Sequence, residues 1–239
     1  MGVAQLVRVA DCGSVGRGFE SHHPPQIKYP MKVVAINGSP RQKGNTWFAL
    51  KTAGDALINE GINFEIIHIG HQSIHGCIAC KKCKENQDNR CSIGSDKLND
   101  YLPVIRAADG IILGSPVYYS GIAGTMKCFL DRLFYVSGSN GNWMRHKVGA
   151  SAVAVRRSGG STTWNSLNFY LTISEMTVAS SNYWNIIHGA GEGESEQDTE
   201  GIQIMQVLGA NMAWLLKTKQ AGILPAPPQS RKIYLNFVR

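Results

Sequence analysis

No apolar run in this chain approaches the roughly 20 residues that a helix needs to cross a bilayer, so a helical membrane span is not expected. Nor is a secretory leader expected. The short apolar segments around Leu6, Val7, Val9 and Ala10 are broken by Arg8 and Asp11, whereas an export signal needs an unbroken apolar core of about seven residues or more; the expected location is cytoplasmic. Basic residues are not massed: 24 Lys and Arg against 17 Asp and Glu give a formal charge of +7, yet the only doublets of one basic type are KK at 81–82 and RR at 156–157. That charge reads as a solvated surface and not as a nucleic-acid face. Neither G-x-x-x-x-G-K-[ST] nor G-x-G-x-x-G occurs, which disfavours a triphosphate P-loop and a classical dinucleotide fold. Cysteine is scarce outside one place: four of the six fall between 77 and 91. Clustering that tight suggests metal or redox chemistry more than a secreted disulfide framework.

What is present is enough for a full core. With 239 residues and 43% hydrophobic content, one domain with extensions is the simplest division. Residues 1–30 lack periodicity, are rich in Gly and Ser and end among Pro24, Pro25 and Pro30, so they read as a tail. The wording AQLVRVADCGSVGRGFESHHPP resembles conceptual translation of transfer-RNA gene sequence fused in front of a reading frame. The authentic start is therefore expected at Met31, with a genuine tail as the alternative. The body is expected over 31–217, with a Cys-rich loop at 70–95, and residues 218–239 as a C-terminal arm whose Tyr234, Leu235, Phe237 and Val238 pack on the body or on a partner subunit.

Within the body, strand and helix alternate. Apolar runs at 33–36, 64–69, 110–114, 148–155 and 177–181 read as strands, and amphipathic text near 45–60, 96–107, 126–134, 165–173 and 202–215 as helices. This predicts an α/β, doubly wound, five-stranded parallel sheet in the flavodoxin-like order 2-1-3-4-5. Ligands in such sheets sit beyond the carboxyl ends of the strands, at the switch point between the first and third. The loop after the first strand, GSPRQKGNT, then turns into a helix whose N-terminus favours a phosphate; Ser39 and Thr46 supply hydroxyls, Asn45 an amide, Arg41 and Lys43 charge. An ordinary capped strand-to-helix loop has the same look. The loop after the third strand, SPVYYSGIAG, offers tyrosines that can stack on a planar ring and backbone amides from Val117 to Gly121 that can meet its heteroatoms, or tyrosines that merely cover the edge of the core.

Taken together, GSPRQKGNT, GSPVYYSGIAGTMKCFLDR and the SGGSTT loop resemble the NADPH-dependent FMN reductase superfamily of flavodoxin-like flavoproteins, over about Met31 to Leu216. The resemblance implies that the first loop binds the FMN phosphate through Ser39, Arg41, Asn45 and Thr46. It implies that Pro116, Val117, Tyr118, Tyr119 and Gly121 border the isoalloxazine, and that Arg157, Ser158, Gly159 and Gly160 approach its other edge. NAD(P)H is the implied electron donor, and a homodimer or homotetramer the implied assembly.

Cys77, Cys80, Cys83 and Cys91 form C-x2-C-x2-C-x7-C. Three thiolates at two-residue gaps with a fourth returning after a short loop can wrap a compact ion or cluster, and such a run is more typical of iron-sulfur ligation than of zinc. The arrangement is similar to the compact motif of iron-sulfur flavoproteins, a branch of the same superfamily with a [4Fe-4S] cluster near FMN. No Pro follows Cys91, unlike the ferredoxin pattern. Redox-active or structural thiols, or a zinc site assisted by His71 and His75, are the other readings; Lys81, Lys82 and Lys84 would lower thiolate pKa values or offset cluster charge.

The function implied is an NAD(P)H-dependent FMN oxidoreductase acting on a small acceptor such as a quinone, a flavin or a nitro-compound. A non-enzymatic electron carrier for a ferredoxin-like protein and a thiol or metal sensor on the same scaffold are the competing readings. Hydride transfer to a flavin needs no side-chain acid or base, so no catalytic residue is assigned. Trp143, Tyr183 and Trp184 either close the site in a dimer or pack at the edge of the core.

Overall fold

The computed structural model describes residues 29–222, 224–230 and 233; the leader up to residue 28, including Cys12, and the arm residues Tyr234, Leu235, Phe237 and Val238 lie outside them. Five parallel strands carry the fold: β1 (Lys32–Asn37), β2 (Asn63–His68), β3 (Gly110–Tyr118), β5 (Val148–Val155) and β6 (Thr177–Val178). Their spatial order is β2-β1-β3-β5-β6, which is 2-1-3-4-5 when the principal strands are counted in sequence. β4 (Gly121–Ile122) pairs antiparallel with β3, and β7 (Ile186–His188) pairs parallel with β5.

Successive residues of a strand face opposite sides of the sheet, and β1 shows the consequence. Val33 and Ala35 pack with α1 (Asn45–Asn59) and α6 (Thr199–Ala221), while Val34 and Ile36 pack with α3 (Leu98–Ala107), α4 (Gly124–Ser139) and α5 (Gly160–Ile173). Both faces are covered, which is why the strands read as unbroken apolar runs. A short helix α2 (Lys82–Asn86), inside the Cys-rich loop, packs against α4.

Two elements differ from the sequence reading. The fifth strand, expected over 177–181, is split: Thr177 and Val178 pair with the beginning of β5, and Ile186 to His188 pair with its end. The last helix runs on to Ala221, into the stretch expected as an arm, because nothing before Gly222 stops it. Among the described residues no helix is long and apolar enough to cross a membrane.

Candidate functional site

The first loop leaves β1 at Gly38 and is braced from below. Asn37 is buried; its side-chain oxygen accepts the Ser39 N–H at 3.0 Å, and its amide donates to the Gln42 carbonyl at 3.2 Å. Ser39 Oγ in turn accepts the Arg41 N–H at 3.2 Å. His68 Nε2 lies 2.7 Å from the Ser39 carbonyl; a carbonyl only accepts, so this nitrogen carries the proton. Burial holds the His68 pKa below its ordinary value, against the Ser39 contact and with a smaller contribution from His71, which stacks on it at 4.4 Å. Gly70 passes so close that a Cβ there would stand 2.1 Å from the Ser39 carbonyl oxygen.

Helix α1 begins without a side-chain cap, since its N-cap is Gly44. Asn45 and Thr46, which have the composition of caps, lie inside the first turn. Asn45 is committed elsewhere: its amide donates to the Gly191 carbonyl at 3.0 Å and its oxygen accepts the Ser195 hydroxyl at 3.0 Å. It thereby pins the segment 189–195 beside the loop. Thr46 Oγ1 is buried and has no hydrogen-bond partner among the described residues. An uncapped helix start with an unpaired buried hydroxyl fits an anion, because that group otherwise loses its hydration without compensation.

A cleft of about 240 Å3 opens at this point. Ser39, Arg41, Asn45 and Thr46 meet Pro116, Val117 and Tyr118 across it, and Arg156, Gly189 and Ala190 close a third side. These last three were missed in the sequence; the doublet at 156–157 and the Gly-rich GAGEG at 189–193 were the available signals. The second loop is itself a tight hairpin. Val117 pairs with Ile122 and Tyr118 with Gly121, leaving Tyr119 (φ 49°) and Ser120 (φ 58°) as the two turn residues. Positive φ at both positions is the type I′ combination usually filled by Asn and Gly. Tyr119 is fully exposed at the tip, Tyr118 about half.

The third loop reaches the second but not the cleft. Gly159 (φ 86°) abuts Ser120, whose Cα would stand 2.8 Å from a Cβ at that position. Arg157, Ser158, Gly159 and Gly160 line a separate cavity of about 410 Å3, walled by Tyr183 and Trp184. The arginine that lines the cleft is Arg156. Trp143 packs, half-buried, against the core.

Cys77, Cys80, Cys83 and Cys91 all line one small cavity, and all are free thiols. Ala79, Lys81, Gln87 and Asn89 have positive φ, a conformation that costs about 1 kcal/mol or more for residues with a Cβ; two of them flank Cys80. Helix α2 turns Cys83 inward, while Cys77 and Cys80 stay exposed. A hydrogen bond with the Ser92 hydroxyl, 3.1 Å away, and another to the Lys82 backbone lower the Cys80 pKa; burial pushes that of Cys83 up. Cys91 is fixed by Asn99, which accepts its N–H at 2.8 Å and donates to its carbonyl at 2.9 Å. Lys81 lines the cavity, whereas His71 and His75 do not. Among the described residues no group of three or more His, Cys, Asp or Glu is arranged to hold one metal ion. The cavity's donor set is nonetheless uniform: four soft thiols and no imidazole or carboxylate, which suits an iron-sulfur cluster.

Residues 31–191 match the family described as NADPH-dependent FMN reductase. An iron-sulfur flavoprotein of Methanocaldococcus jannaschii is 36% identical over 194 residues, covering 78% of this chain and 98% of that protein. A second iron-sulfur flavoprotein from the same organism is 28% identical over 199 residues, covering 80% of this chain and 99% of that protein. Among solved structures, the NAD(P)H:quinone oxidoreductase from Methanothermobacter marburgensis superposes with a TM-score of 0.59 over 77% of this chain and 96% of its own, at 14% identity, which shows a shared fold.

Proposed function

We propose that this chain, which belongs to the NADPH-dependent FMN reductase family and within it to the iron-sulfur flavoproteins, is an FMN-dependent oxidoreductase that takes electrons from NAD(P)H and passes them to a small acceptor such as a quinone, a flavin or a nitro-compound. The observation that carries the reading is the buried, unpaired Thr46 hydroxyl at the uncapped start of α1. It answers the phosphate of FMN, which Ser39, Arg41, Thr46 and the first turn of α1 would hold. Asn45 acts one step back, by keeping Gly189 and Ala190 against the cleft. Pro116, Val117 and Tyr118 would border the ring, and the hairpin that carries them leaves Tyr119 free at its tip.

When bound, FMN supplies two-electron exchange with a nicotinamide and one-electron exchange with a single-electron partner. The chain's own part is to bind, orient and shield. Arg41 brings positive charge to the phosphate side of the cleft and Arg156 to its third side, and His68 donates from Nε2 to the Ser39 carbonyl from beneath. Cys77, Cys80, Cys83 and Cys91 would hold a [4Fe-4S] cluster by the chemistry of their donor set.

Stopped-flow mixing of the FMN-loaded protein with NADH and with NADPH tests the reductase reading. Bleaching of the flavin band by at least one of them is expected; no bleaching by either excludes it. A second reading, a one-electron carrier serving a ferredoxin-like protein, is favoured by the exposure of Cys77 and Cys80, which leaves one side of the thiol cavity open to a partner. That reading takes over if neither nicotinamide reduces the flavin.

A further inference from the structure

Arg132 lies on α4 between Phe129 and Leu133 and is 1% exposed, the largest side chain among the described residues to be so fully buried. All three of its guanidinium nitrogens are spent on the Cys-bearing loop. Nη2 donates to the Ile93 carbonyl at 3.1 Å, Nη1 donates to the His75 carbonyl at 3.1 Å and pairs with Asp96, and Nε donates to Cys91 Sγ at 3.3 Å. Asp96 is equally buried and also accepts the His75 N–H at 3.0 Å. The two residues together tie the start of the loop at His75 to its end at Asp96.

Burying a guanidinium and a carboxylate is expensive, and a pair of this kind is often replaceable by apolar residues without loss of stability. Clamping alone therefore does not explain it. What an apolar pair cannot supply is a charged N–H aimed at a thiol sulfur. Hydrogen bonds to cluster sulfurs and nearby charge are the protein's means of setting a cluster's potential.

We infer that Arg132 is a positioning residue for the cluster: it orients Cys91 as a ligand and, through the N–H···S bond, favours the reduced state, while the negative charge of Asp96 opposes it. This rests on the cluster reading above. Adding an electron puts more negative charge on the ligand sulfurs, so a donor to Cys91 stabilises the reduced form more than the oxidised one. The carboxylate on the other side of the same guanidinium acts in the opposite sense.

The test uses anaerobically purified wild-type protein, Arg132→Lys and Asp96→Asn, with iron and sulfide analysis, circular dichroism and a redox titration followed by electron paramagnetic resonance. Lysine keeps a charge for Asp96 but not the fork that serves four acceptors at once. Arg132→Lys is expected to retain iron and to lower the equilibrium constant for reduction about tenfold, ~59 mV more negative for a one-electron couple. Asp96→Asn is expected to move it the other way. Opposite signs are a result that a purely structural clamp does not give. Iron-loaded variants with the wild-type potential, or both displaced in one direction, overturn the inference, as does loss of iron from both. Where Arg132→Lys alone fails to fold or to keep iron, the sign of the Asp96→Asn shift decides. Wild-type protein without iron refutes the cluster reading itself, and that measurement precedes the variants.

Discussion

Asn45 and Thr46 are neighbours of similar polarity, and the structure gives them different partners. Asn45 is satisfied twice by protein atoms, whereas Thr46 keeps a buried hydroxyl with none. Thr46→Val keeps the shape and removes the hydroxyl. In the protein without FMN this takes away an unsatisfied buried group, a defect that costs about 1–3 kcal/mol, so the thermal midpoint is expected to hold or rise. Affinity for FMN is expected to fall by at least about tenfold, the scale of one hydrogen bond to a charged group. Fluorescence titration of apo-protein with FMN, beside a melting curve, checks both signs; undiminished affinity removes Thr46 from the phosphate site. The loop that lines this side of the cleft was legible in the sequence, because an apolar run that breaks at Gly38-Ser39-Pro40 and resumes as a helix is a local pattern. The division of labour was not, since it depends on Gly191 and Ser195, about 150 positions away. Arg132 was hidden for the same reason: an arginine in helical text looks solvated until the partner that buries it, Asp96, is in place.

Among elements, the β3–β4 hairpin shows where pattern reading ends. The parallel order followed from alternation alone, but the segment after Gly114 read as an open loop, because Pro116 within a run argues against a strand and YYSG carries no Asn-Gly signal. In the fold, Ser115 and Pro116 continue the register with Val153 and Ala154 of β5, so the strand extends to the tip and brings Tyr118 to the cleft. The split edge strand was similarly invisible, since two- and three-residue strands leave no periodicity to detect. The turn itself is a strained choice. Ser120 holds φ 58° and lies so near Gly159 that only a glycine fits there. Ser120→Gly is expected to stabilise the protein by about 1 kcal/mol, the order of the left-handed penalty, measured as a higher urea midpoint at unchanged slope. A lower midpoint means that the Ser120 hydroxyl holds the second loop to the third, and that contact outweighs the strain.

At the scale of the whole molecule, the cleft and the thiol cavity have no lining residue in common. The cleft hangs from the carboxyl ends of β1, β3 and β5, and the thiol cavity is built by the excursion after β2 against α4. One sheet therefore presents two sites whose walls come from different stretches of chain; α1 and α6 cover the sheet face opposite the Cys-bearing loop, and Val117 alone of the cleft residues packs on the core cluster that holds Cys83. If the thiol cavity holds the proposed cluster, its loss is then expected to spare the flavin. Cys80→Ser is the cleanest probe, because Cys80 is exposed and its replacement opens no cavity in the core. Iron content is expected to collapse while the flavin-to-protein ratio, read from absorbance after desalting, stays at the wild-type value. Flavin leaving together with iron from a protein whose circular dichroism is unchanged means that the two sites are coupled. In that case the path from Gly70, which crosses under Ser39 before entering the Cys-bearing loop, transmits the state of the thiols to the phosphate site. Gly70 would then be the next position to alter, since any side chain there must displace the Ser39 carbonyl and with it the first loop.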